Sequence, residues 1–446
     1  MILKKSRIRQ KVYSFPRGGI SFEDSTVPSR ITCVTAFLPS LSVIPLIQHS
    51  GVRAYPIVSV GEAVTEGMLI GRGRRPGSAN IHATVPGRVL RIVSWKNSAG
   101  QVQEGIVIRM EGSFNKLGKK EELFPWEGML PYDIQRTIAD YGVVEMEDAG
   151  RPVSDIISSF RSVSGPITLV VRCVFDDPWL VSDYVLCRER AAVIAEGAVI
   201  TARTCRASRI IYAISHNERE LGDEFLAAGS KWNIPTNIVL VGSKYPQRNR
   251  RELELVLGNY GKKEGIDLGS FFILGPATLA AVFDAVKMRK PVLDRYITVG
   301  GSAIKKPQVM KARIGTRMRE VFAECGGFIG TPKRIATSSP LLGRPISDLD
   351  EPVTKTSYAV FALLEGLQRE NRDGCISCGE CRNVCPVELD PEELYKKTQV
   401  YSGARSAQYL AQSRIQECHG CGCCELVCPS RLPLSTAIRE SASRLN

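Results

Sequence analysis

The first hundred residues alternate apolar and polar side chains over short stretches that glycine and proline interrupt. The alternation is clearest in residues 55–93, where Gly61, Gly67 and Gly87 mark turns between the predicted strands. Alternation with a period of two and turn glycines indicates half-buried β-strands. We therefore predict a small barrel-sandwich domain of the lipoyl type over residues 1–115. No lysine occupies the hairpin at which such a domain would carry a prosthetic group, so a structural role is favoured.

From residue 128 onward the pattern changes to apolar runs that alternate with helical periods. The runs ITLVVRCVF, RIIYAIS and NIVLVG are separated by helix-like segments, which is typical of βαβ units in a mixed or parallel sheet. Two strands that flank a turn within residues 295–327 then indicate a β-grasp unit. The predicted fold class is multidomain α/β, and the parts after the barrel-sandwich are an α/β domain at 128–290, a β-grasp domain at 291–335, a linker at 336–358 and a helical domain at 359–446.

Hydrophobic residues make up 43% of the 446 residues, and no apolar run is long enough to cross a bilayer. The basic start MILKKSRIRQ has no hydrophobic stretch behind it, so neither a signal peptide nor a transmembrane helix is expected. The net charge of +13 fits nucleic acid, an anionic membrane surface or an acidic protein as partner. The arginines are scattered without a nucleic-acid-binding motif, so nucleic acid is the least favoured of the three.

Nine of the fourteen cysteines lie between Cys375 and Cys428, and this clustering indicates metal ligation in a reducing compartment. They form two copies of the pattern C-x2-C-x2-C-x3-C-P, in which three thiolates on a loop hold one face of an iron–sulfur cubane. In two-cluster ferredoxins the fourth cysteine of each copy ligates the other cluster. The predicted ligands are Cys375, Cys378, Cys381 and Cys428 for the first [4Fe–4S] cluster, and Cys418, Cys421, Cys424 and Cys385 for the second.

Cys423 breaks the two-residue spacing of the second copy, so we interpret it as a buried thiol beside the cluster rather than a ligand. Structural zinc is the alternative for the whole set of cysteines. Zinc prefers two CxxC pairs, however, and does not require the proline that follows each fourth cysteine. Between the two copies, Pro391 behind Asp390 predicts the start of a helix with Asp390 as its N-cap.

Several segments, in their order along the chain, resemble the RnfC subunit of the Rnf ion-translocating oxidoreductases over nearly the full length. These segments are FPRGGI (15–20), PLIQHSG (45–51), IHATVPGRV (81–89), VGGSAIKKPQVMKARIGT (299–316) and the twin cysteine motifs. The resemblance implies that the α/β and β-grasp domains are related to the NADH-binding flavoprotein subunit of complex I. It also implies a peripheral subunit at the cytoplasmic face of the inner membrane, with other Rnf-type membrane subunits as partners.

The glycine-rich loop with which the family holds FMN falls on residues 142–152. Gly142 and Gly150 remain, but three other glycines are replaced by Glu145, Glu147 and Asp148. Glycines in such a loop let backbone N–H groups approach a phosphate closely. Side chains there obstruct the approach, and carboxylates repel the phosphate.

Two further signatures of the family's cofactor site are also altered. One keeps Asp177 but has Phe175 where an acidic residue would face the cofactor. The other has Arg248 and Asn249 in place of glycines. Together with the loop, these changes argue against FMN and NADH as cofactors of this chain.

Three functions are compatible with this pattern. The leading one is an electron relay, which receives electrons from a small acidic carrier such as flavodoxin or ferredoxin on its basic surface and passes them through the clusters to membrane partners. The second retains NADH oxidation through FMN bound in an altered form. The third is a docking scaffold without catalysis. Flavin content after reconstitution separates the first two, and reducibility of the clusters separates the first from the third.

Overall fold

The computed structural model describes residues 11–22, 32–98, 100–114, 122–147, 150–341, 343–366, 374–400 and 413–443. Within these residues the chain forms a barrel-sandwich, a parallel α/β domain, a β-grasp domain and a small helical domain that carries the cysteine motifs. This is the predicted order of domains. Among the described residues, no helix combines the length and the apolar composition that crossing a membrane requires.

The barrel-sandwich is preceded by two short strands that join other domains, β1 (Val12–Tyr13) and β2 (Cys33–Thr35). The barrel strands are β3 (Leu41–Pro45), β4 (Tyr55–Pro56), β5 (Ala63–Val64), β6 (Leu69–Arg72), β7 (Ile81–His82), β8 (Gly87–Lys96) and β9 (Val102–Met110). They form two sheets, in the orders β3-β9-β8-β5 and β4-β6-β7. Aliphatic side chains from both sheets, including Ile44, Ile70 and Ile106, are fully buried between them.

The α/β domain opens with two helices, α1 (Pro131–Asp140) and α2 (Val153–Phe160). Strands and helices then alternate as β10 (Ile167–Cys173), α3 (Ser182–Cys205), β11 (Arg209–Ser215), α4 (Glu220–Gly229), β12 (Thr236–Val241), α5 (Arg250–Glu264), β13 (Ser270–Leu274) and α6 (Pro276–Lys287). All neighbouring strands are parallel in the order β1-β12-β11-β10-β13. Every residue of β10 is buried, because apolar side chains pack on both faces of this central strand.

The β-grasp domain contains β14 (Asp294–Gly300), β15 (Gln308–Arg313), α7 (Met318–Glu324), β16 (Arg334–Thr337) and β17 (Ala359–Leu363), and its sheet has the order β16-β17-β14-β15-β2. The helical domain follows with α8 (Glu380–Asn383), α9 (Pro391–Val400), α10 (Cys423–Leu426) and α11 (Leu434–Ser443). The Asp390 carboxylate accepts a hydrogen bond from the Glu393 amide at 3.0 Å, as expected of the N-cap of α9.

The sheet pairings differ from the predicted boundaries at three strands. β1 and β2 lie within the region predicted as barrel, 1–115, but they pair with β12 and β15. β17 lies within the region predicted as helical, 359–446, but it pairs with β14 and β16. The β-grasp domain therefore encloses the predicted linker at 336–358. Strands of two to five residues are too short to show a period, and the partners of these three lie elsewhere in the chain, so the local pattern could not assign them.

Lys355, within this enclosed segment, joins the barrel-sandwich to the α/β domain. Its ammonium group is buried and donates to the carbonyl oxygens of Asn80 and Gly142, both at 2.7 Å. Its backbone amide donates to the Gln48 side chain at 3.2 Å. Burial lowers the pKa of Lys355 to about 7.

Replacing Lys355 with Met should change how the stability of the protein depends on pH. The folded-state pKa lies below the unfolded value of about 10.4, so between these two values the unfolded chain binds more protons than the folded one. The contribution of Lys355 to stability should therefore increase as the pH rises from about 7, by at most about 1.4 kcal/mol per pH unit. Urea unfolding of both proteins at several pH values measures this difference. A difference that does not change with pH would show that the two carbonyl groups keep the ammonium charged.

Candidate functional site

The parallel sheet of the α/β domain has a topological switch point between β10 and β13. Strands β10, β11 and β12 follow one another toward one edge, whereas β13 returns to the other side of β10. In such sheets, ligands bind in the crevice outside the carboxyl ends of the strands at the switch point. Here α6 begins directly after β13, and the free N–H groups at a helix N-terminus attract anions. A phosphate would therefore bind at the start of α6.

The carboxylate of Glu147 occupies the start of α6. One carboxylate oxygen accepts a hydrogen bond from the Thr278 amide at 3.1 Å, and the other accepts one from the Thr278 hydroxyl at 2.6 Å. Gly275 permits this approach, because a Cβ atom at that position would lie 2.2 Å from the Glu147 Cδ atom. Burial and the nearby Asp183 carboxylate raise the pKa of Glu147, and the Thr278 hydroxyl and the guanidinium groups of Arg172 and Arg295 only partly oppose this.

Arginine side chains act electrostatically on Glu147. Arg172, near the carboxyl end of β10, is buried and donates from Nη1 to the Arg248 carbonyl oxygen at 3.2 Å. The Arg248 guanidinium lies 6.0 Å from the centre of the Tyr358 ring. Arg295 is also buried and donates to the Ser357 carbonyl oxygen at 3.0 Å. Glu147 thus lies near other charged side chains of the same chain.

Within the predicted glycine-rich loop, Val144 and Pro152 pair in an antiparallel bridge. Gly142 and Gly150 both have positive φ angles, 63° and 69°, which explains why glycine remains at these two positions. Glu145 is buried within this loop. Asp148 lies outside the described residues.

Phe175 and Asp177, the other residues predicted for the cofactor site, have structural contacts. Phe175 packs edge-to-face against Tyr184, with ring centres 5.5 Å apart. Asp177 accepts a hydrogen bond from the Ser339 hydroxyl at 2.8 Å, which ties this edge of the sheet to the β-grasp side of the molecule. Burial raises the pKa of Asp177.

These residues do not fit a flavin phosphate. The helix N-terminus that would bind the phosphate already holds the Glu147 carboxylate at hydrogen-bonding distance. A phosphate could bind there only after this carboxylate is displaced from its buried position.

The first cavity in the helical domain is lined by four motif cysteines, Cys375, Cys378, Cys381 and Cys428. Three of them come from the first copy of the motif and the fourth from the second copy. The two copies therefore cross, in the sense that each contributes its fourth cysteine to the cavity of the other. Backbone N–H groups point at two of these sulfur atoms. The Ser377 amide lies 3.4 Å from Cys375 Sγ, and the Leu432 amide lies 3.4 Å from Cys428 Sγ.

The second cavity is lined by five cysteines, Cys385, Cys418, Cys421, Cys423 and Cys424. The crossing is the same here, since Cys385 belongs to the first copy of the motif. A hydrogen bond with Cys423 lowers the pKa of Cys421, and the same contact raises the pKa of Cys423. This is the arrangement of a thiol that donates to a neighbouring thiolate.

Within the described residues, no three histidine, cysteine or carboxylate side chains are placed to hold a single metal ion. The motif cysteines surround two cavities instead. A cubane binds each of its cysteines at a different iron, so its ligands are spread around a cavity of this kind. The side chains present therefore fit two iron–sulfur cubanes.

The N-terminal segment 15–20 fastens the helical domain to the α/β domain. The Gly19 amide donates to the Val384 carbonyl oxygen at 2.9 Å, next to Cys385 in the wall of the second cavity. Ile20 exchanges two backbone hydrogen bonds with Tyr245, at 2.9 and 2.8 Å. The second cavity consequently faces the α/β domain.

Side chains that the sequence did not single out complete this contact. The Tyr245 hydroxyl donates to the Cys421 carbonyl oxygen at 2.8 Å, and His419 Nε2 lies 3.0 Å from the Glu252 carboxylate. Burial raises the pKa of Glu252 to about 7 and lowers that of His419. The two pairs are 176 and 167 residues apart in the chain, so no local signal could have revealed them.

Family models match the chain in the same order as its domains. The RnfC barrel-sandwich hybrid domain matches residues 14–113, the Nuo51 FMN-binding domain 138–281, the SLBB domain 296–345 and the 4Fe-4S dicluster domain 371–432. The C subunit of the ion-translocating oxidoreductase complex of Rhodobacter capsulatus is 32% identical over 385 residues, which are 85% of this chain and 74% of that protein. The chain belongs to the RnfC family.

Two other relatives match over a similar share of the chain. The RnfC-family chain is 28% identical over 387 residues to the C subunit of the proton-translocating ferredoxin:NAD(+) oxidoreductase complex of Clostridium ljungdahlii, covering 85% of this chain and 83% of that protein. It is 24% identical over 368 residues to the C subunit of the Na(+)-translocating ferredoxin:NAD(+) oxidoreductase complex of Acetobacterium woodii, covering 81% and 82%. The predicted family and fold class are confirmed.

The fold is shared with one chain of a solved NAD+-reducing [NiFe]-hydrogenase in the air-oxidised state. The TM-score is 0.50 at 16% identity, over 71% of the RnfC-family chain and 63% of the hydrogenase chain. At this identity the likeness concerns the fold alone.

Replacing Gly18 with Ala should loosen the second cavity. Gly18 has a φ of +66°, and a Cβ atom there would lie 2.5 Å from the Cys385 carbonyl oxygen. A chelator should therefore remove iron from the second cavity several-fold faster than in the unmodified protein. Gly61→Ala is the matched control, because Gly61 also has a positive φ, +89°, but nothing lies within 4 Å of its added Cβ. Equal rates for the two variants would show that only backbone strain matters.

Proposed function

We propose that this RnfC-family chain is an electron-relay subunit of an Rnf-type ion-translocating complex, in which two [4Fe–4S] clusters carry electrons without a flavin. The observation that carries the proposal is the crossed placement of the motif cysteines around two separate cavities. The match to a 4Fe-4S dicluster domain supports the class of cofactor. Relatives named as the C subunits of ion-translocating complexes support other Rnf-type subunits as partners. We also propose a peripheral position at the cytoplasmic face of the membrane.

The ligands proposed for the first cluster are Cys375, Cys378, Cys381 and Cys428, and those for the second are Cys418, Cys421, Cys424 and Cys385. Bound in this way, the clusters supply one-electron transfer at potentials that nearby hydrogen bonds adjust. The chain provides such donors at both cavities: the Ser377 and Leu432 amides at the first, and the Leu389 amide, 3.3 Å from Cys385 Sγ, at the second. These N–H groups stabilise the negative charge that each reduction adds.

The first cavity is the point at which a soluble carrier would exchange electrons. Cys375 and Cys378 are exposed, and between them Ile376 is 61% exposed, whereas the second cavity faces the α/β domain. The expected basic docking surface does not lie here, because residues 359–446 contain ten lysines and arginines and eleven aspartates and glutamates. We propose flavodoxin or ferredoxin as the carrier, held at this site by contact with Ile376 rather than by net charge.

The buried Glu147 carboxylate is the reason to exclude NADH as the direct donor. It occupies the helix N-terminus at the switch point, so a flavin that could accept hydride from NADH has no phosphate site. The match to the Nuo51 FMN-binding domain supports the alternative, an NADH-oxidising flavoprotein subunit. A docking scaffold is the third possibility, and it predicts clusters that no carrier reduces.

Anaerobic reconstitution should give about eight irons and eight sulfides per chain, since each of two cubanes contains four of each. Replacing Cys424 with Ser should remove one cluster and halve the iron content. Cys423→Ser is the matched control, and it should leave the iron content unchanged. Iron and sulfide assays measure both variants. Two irons or fewer, or stoichiometric zinc, would contradict the two-cluster assignment.

The reconstituted chain should pass through gel filtration without FMN, and NADH should leave its clusters oxidised, because the Glu147 side chain occupies the helix N-terminus that would hold the phosphate. Reduced ferredoxin or flavodoxin should bleach the cluster absorption. Glu147→Gly should recover weak flavin binding, while the exposed control Glu122→Gly should not. Retention of FMN by the unmodified chain, with bleaching by NADH, would establish the flavoprotein alternative. Clusters that neither carrier reduces would indicate the scaffold.

A further inference from the structure

The barrel-sandwich carries a surplus of positive charge. Residues 32–114, which form it, contain eight lysines and arginines and four aspartates and glutamates, a formal charge of +4. Residues 359–446, which contain the motif cysteines, have a formal charge of −1 before any cluster is bound. A partner attracted by positive charge is therefore drawn to the barrel-sandwich rather than to the redox centres.

Four exposed arginines form one corner of the barrel-sandwich, the arginine corner: Arg53, Arg72, Arg74 and Arg75. Tyr55 lies among them. It pairs with Arg72 across β4 and β6, and the guanidinium groups of Arg53 and Arg74 lie 5.5 and 5.1 Å from its ring centre. Arg75 follows Arg74 at the start of a turn.

Hydrogen bonds hold the turn that follows Arg75 in place. The Gly77 carbonyl oxygen accepts from the Val52 amide at 2.9 Å and lies 2.8 Å from His49 Nε2. The Gly77 amide donates to the Asp155 carboxylate of α2 at 2.7 Å. The backbone of the arginine corner is therefore ordered before any partner arrives, which lowers the entropic cost of binding.

The charge of the arginine corner is largely uncompensated. Within the described part of the chain, Arg53 has an ion-pair partner, Glu104, whereas Arg72, Arg74 and Arg75 have none. Elsewhere on the same domain, by contrast, Arg88 and Arg109 both lie within 4.0 Å of the Glu111 carboxylate, at 3.0 and 3.8 Å. The corner keeps a surplus of three positive charges.

We propose that the arginine corner binds the anionic phospholipid surface of the membrane that carries the complex. Ile57, 41% exposed, extends from the same face as Tyr55, because side chains two residues apart in an extended strand share a face. Arginine, tyrosine and isoleucine side chains on one face suit the headgroup region, where aromatic rings and basic groups lie among anionic lipids. An acidic electron carrier, by contrast, must reach the cysteine cavities, which lack this charge.

The test uses the full, cluster-loaded chain and co-sedimentation with vesicles of equal parts phosphatidylglycerol and phosphatidylcholine. Each basic residue near an anionic surface contributes about 1 kcal/mol, or about fivefold in affinity. Arg74→Gln combined with Arg75→Gln should therefore weaken binding roughly 25-fold. The matched control, Arg88→Gln combined with Arg109→Gln, removes the same charge from two arginines that lie outside the arginine corner and share the Glu111 carboxylate, and it should change binding less than about threefold. Binding should also weaken as salt rises, because exposed charges are screened over about 8 Å at physiological ionic strength.

Two results would overturn the proposal. Equal losses in both double variants would show that only the total charge matters. Binding no stronger than to phosphatidylcholine alone would assign the arginine corner to an acidic protein surface instead. The lipid proposal rests on the proposed function only for the membrane location. Cluster content and reduction by a carrier are measured on the same samples. If both are normal while vesicle binding is absent, the lipid proposal fails and the relay does not.

Discussion

The free N–H groups at the start of α6 need an acceptor, and the group that fills this role decides whether a flavin phosphate can bind there. A helix that begins at the carboxyl edge of a parallel sheet leaves free N–H groups, and these are stable only when an acceptor faces them. In this chain the acceptor is internal: the Glu147 carboxylate binds the Thr278 amide and hydroxyl. Gly275 keeps the approach open. A helix N-terminus that is suited to a phosphate by topology is thereby occupied by a side chain.

In the proposed relay, electrons pass through the cysteine cavities and not through a flavin. The two cavities differ in whether they face the α/β domain or the solvent. The second cavity is attached to the α/β domain through Tyr245, His419 and the segment 15–20. The first cavity has exposed cysteines and an exposed isoleucine at its rim. The attachment thus fixes the position of one redox centre within the molecule and leaves the other open to partners.

The distribution of charge separates two kinds of contact. Around the cysteines, acidic and basic residues nearly cancel, whereas the barrel-sandwich, residues 32–114, has a formal charge of +4. Coulombic attraction between exposed groups acts over about one Debye length, about 8 Å in physiological salt, so a basic surface recruits only what approaches that surface. The arginine corner and the rim of the first cavity can therefore bind different partners at the same time without competing.

The sequence by itself determined the features that depend on spacing and local period. The cysteine intervals specified the class of cofactor, the alternation of apolar runs gave the parallel α/β domain, and Asp390 before Pro391 gave a helix start. The altered glycine loop indicated an obstructed flavin site. Only the tertiary structure decided how the obstruction works, since Thr278 lies 131 residues from Glu147. The same reason applies to the strands β1, β2 and β17 and to the side chains of Tyr245 and His419. Their partners lie far away in the chain. Pairing over such distances depends on how the domains pack, and no local pattern encodes that packing.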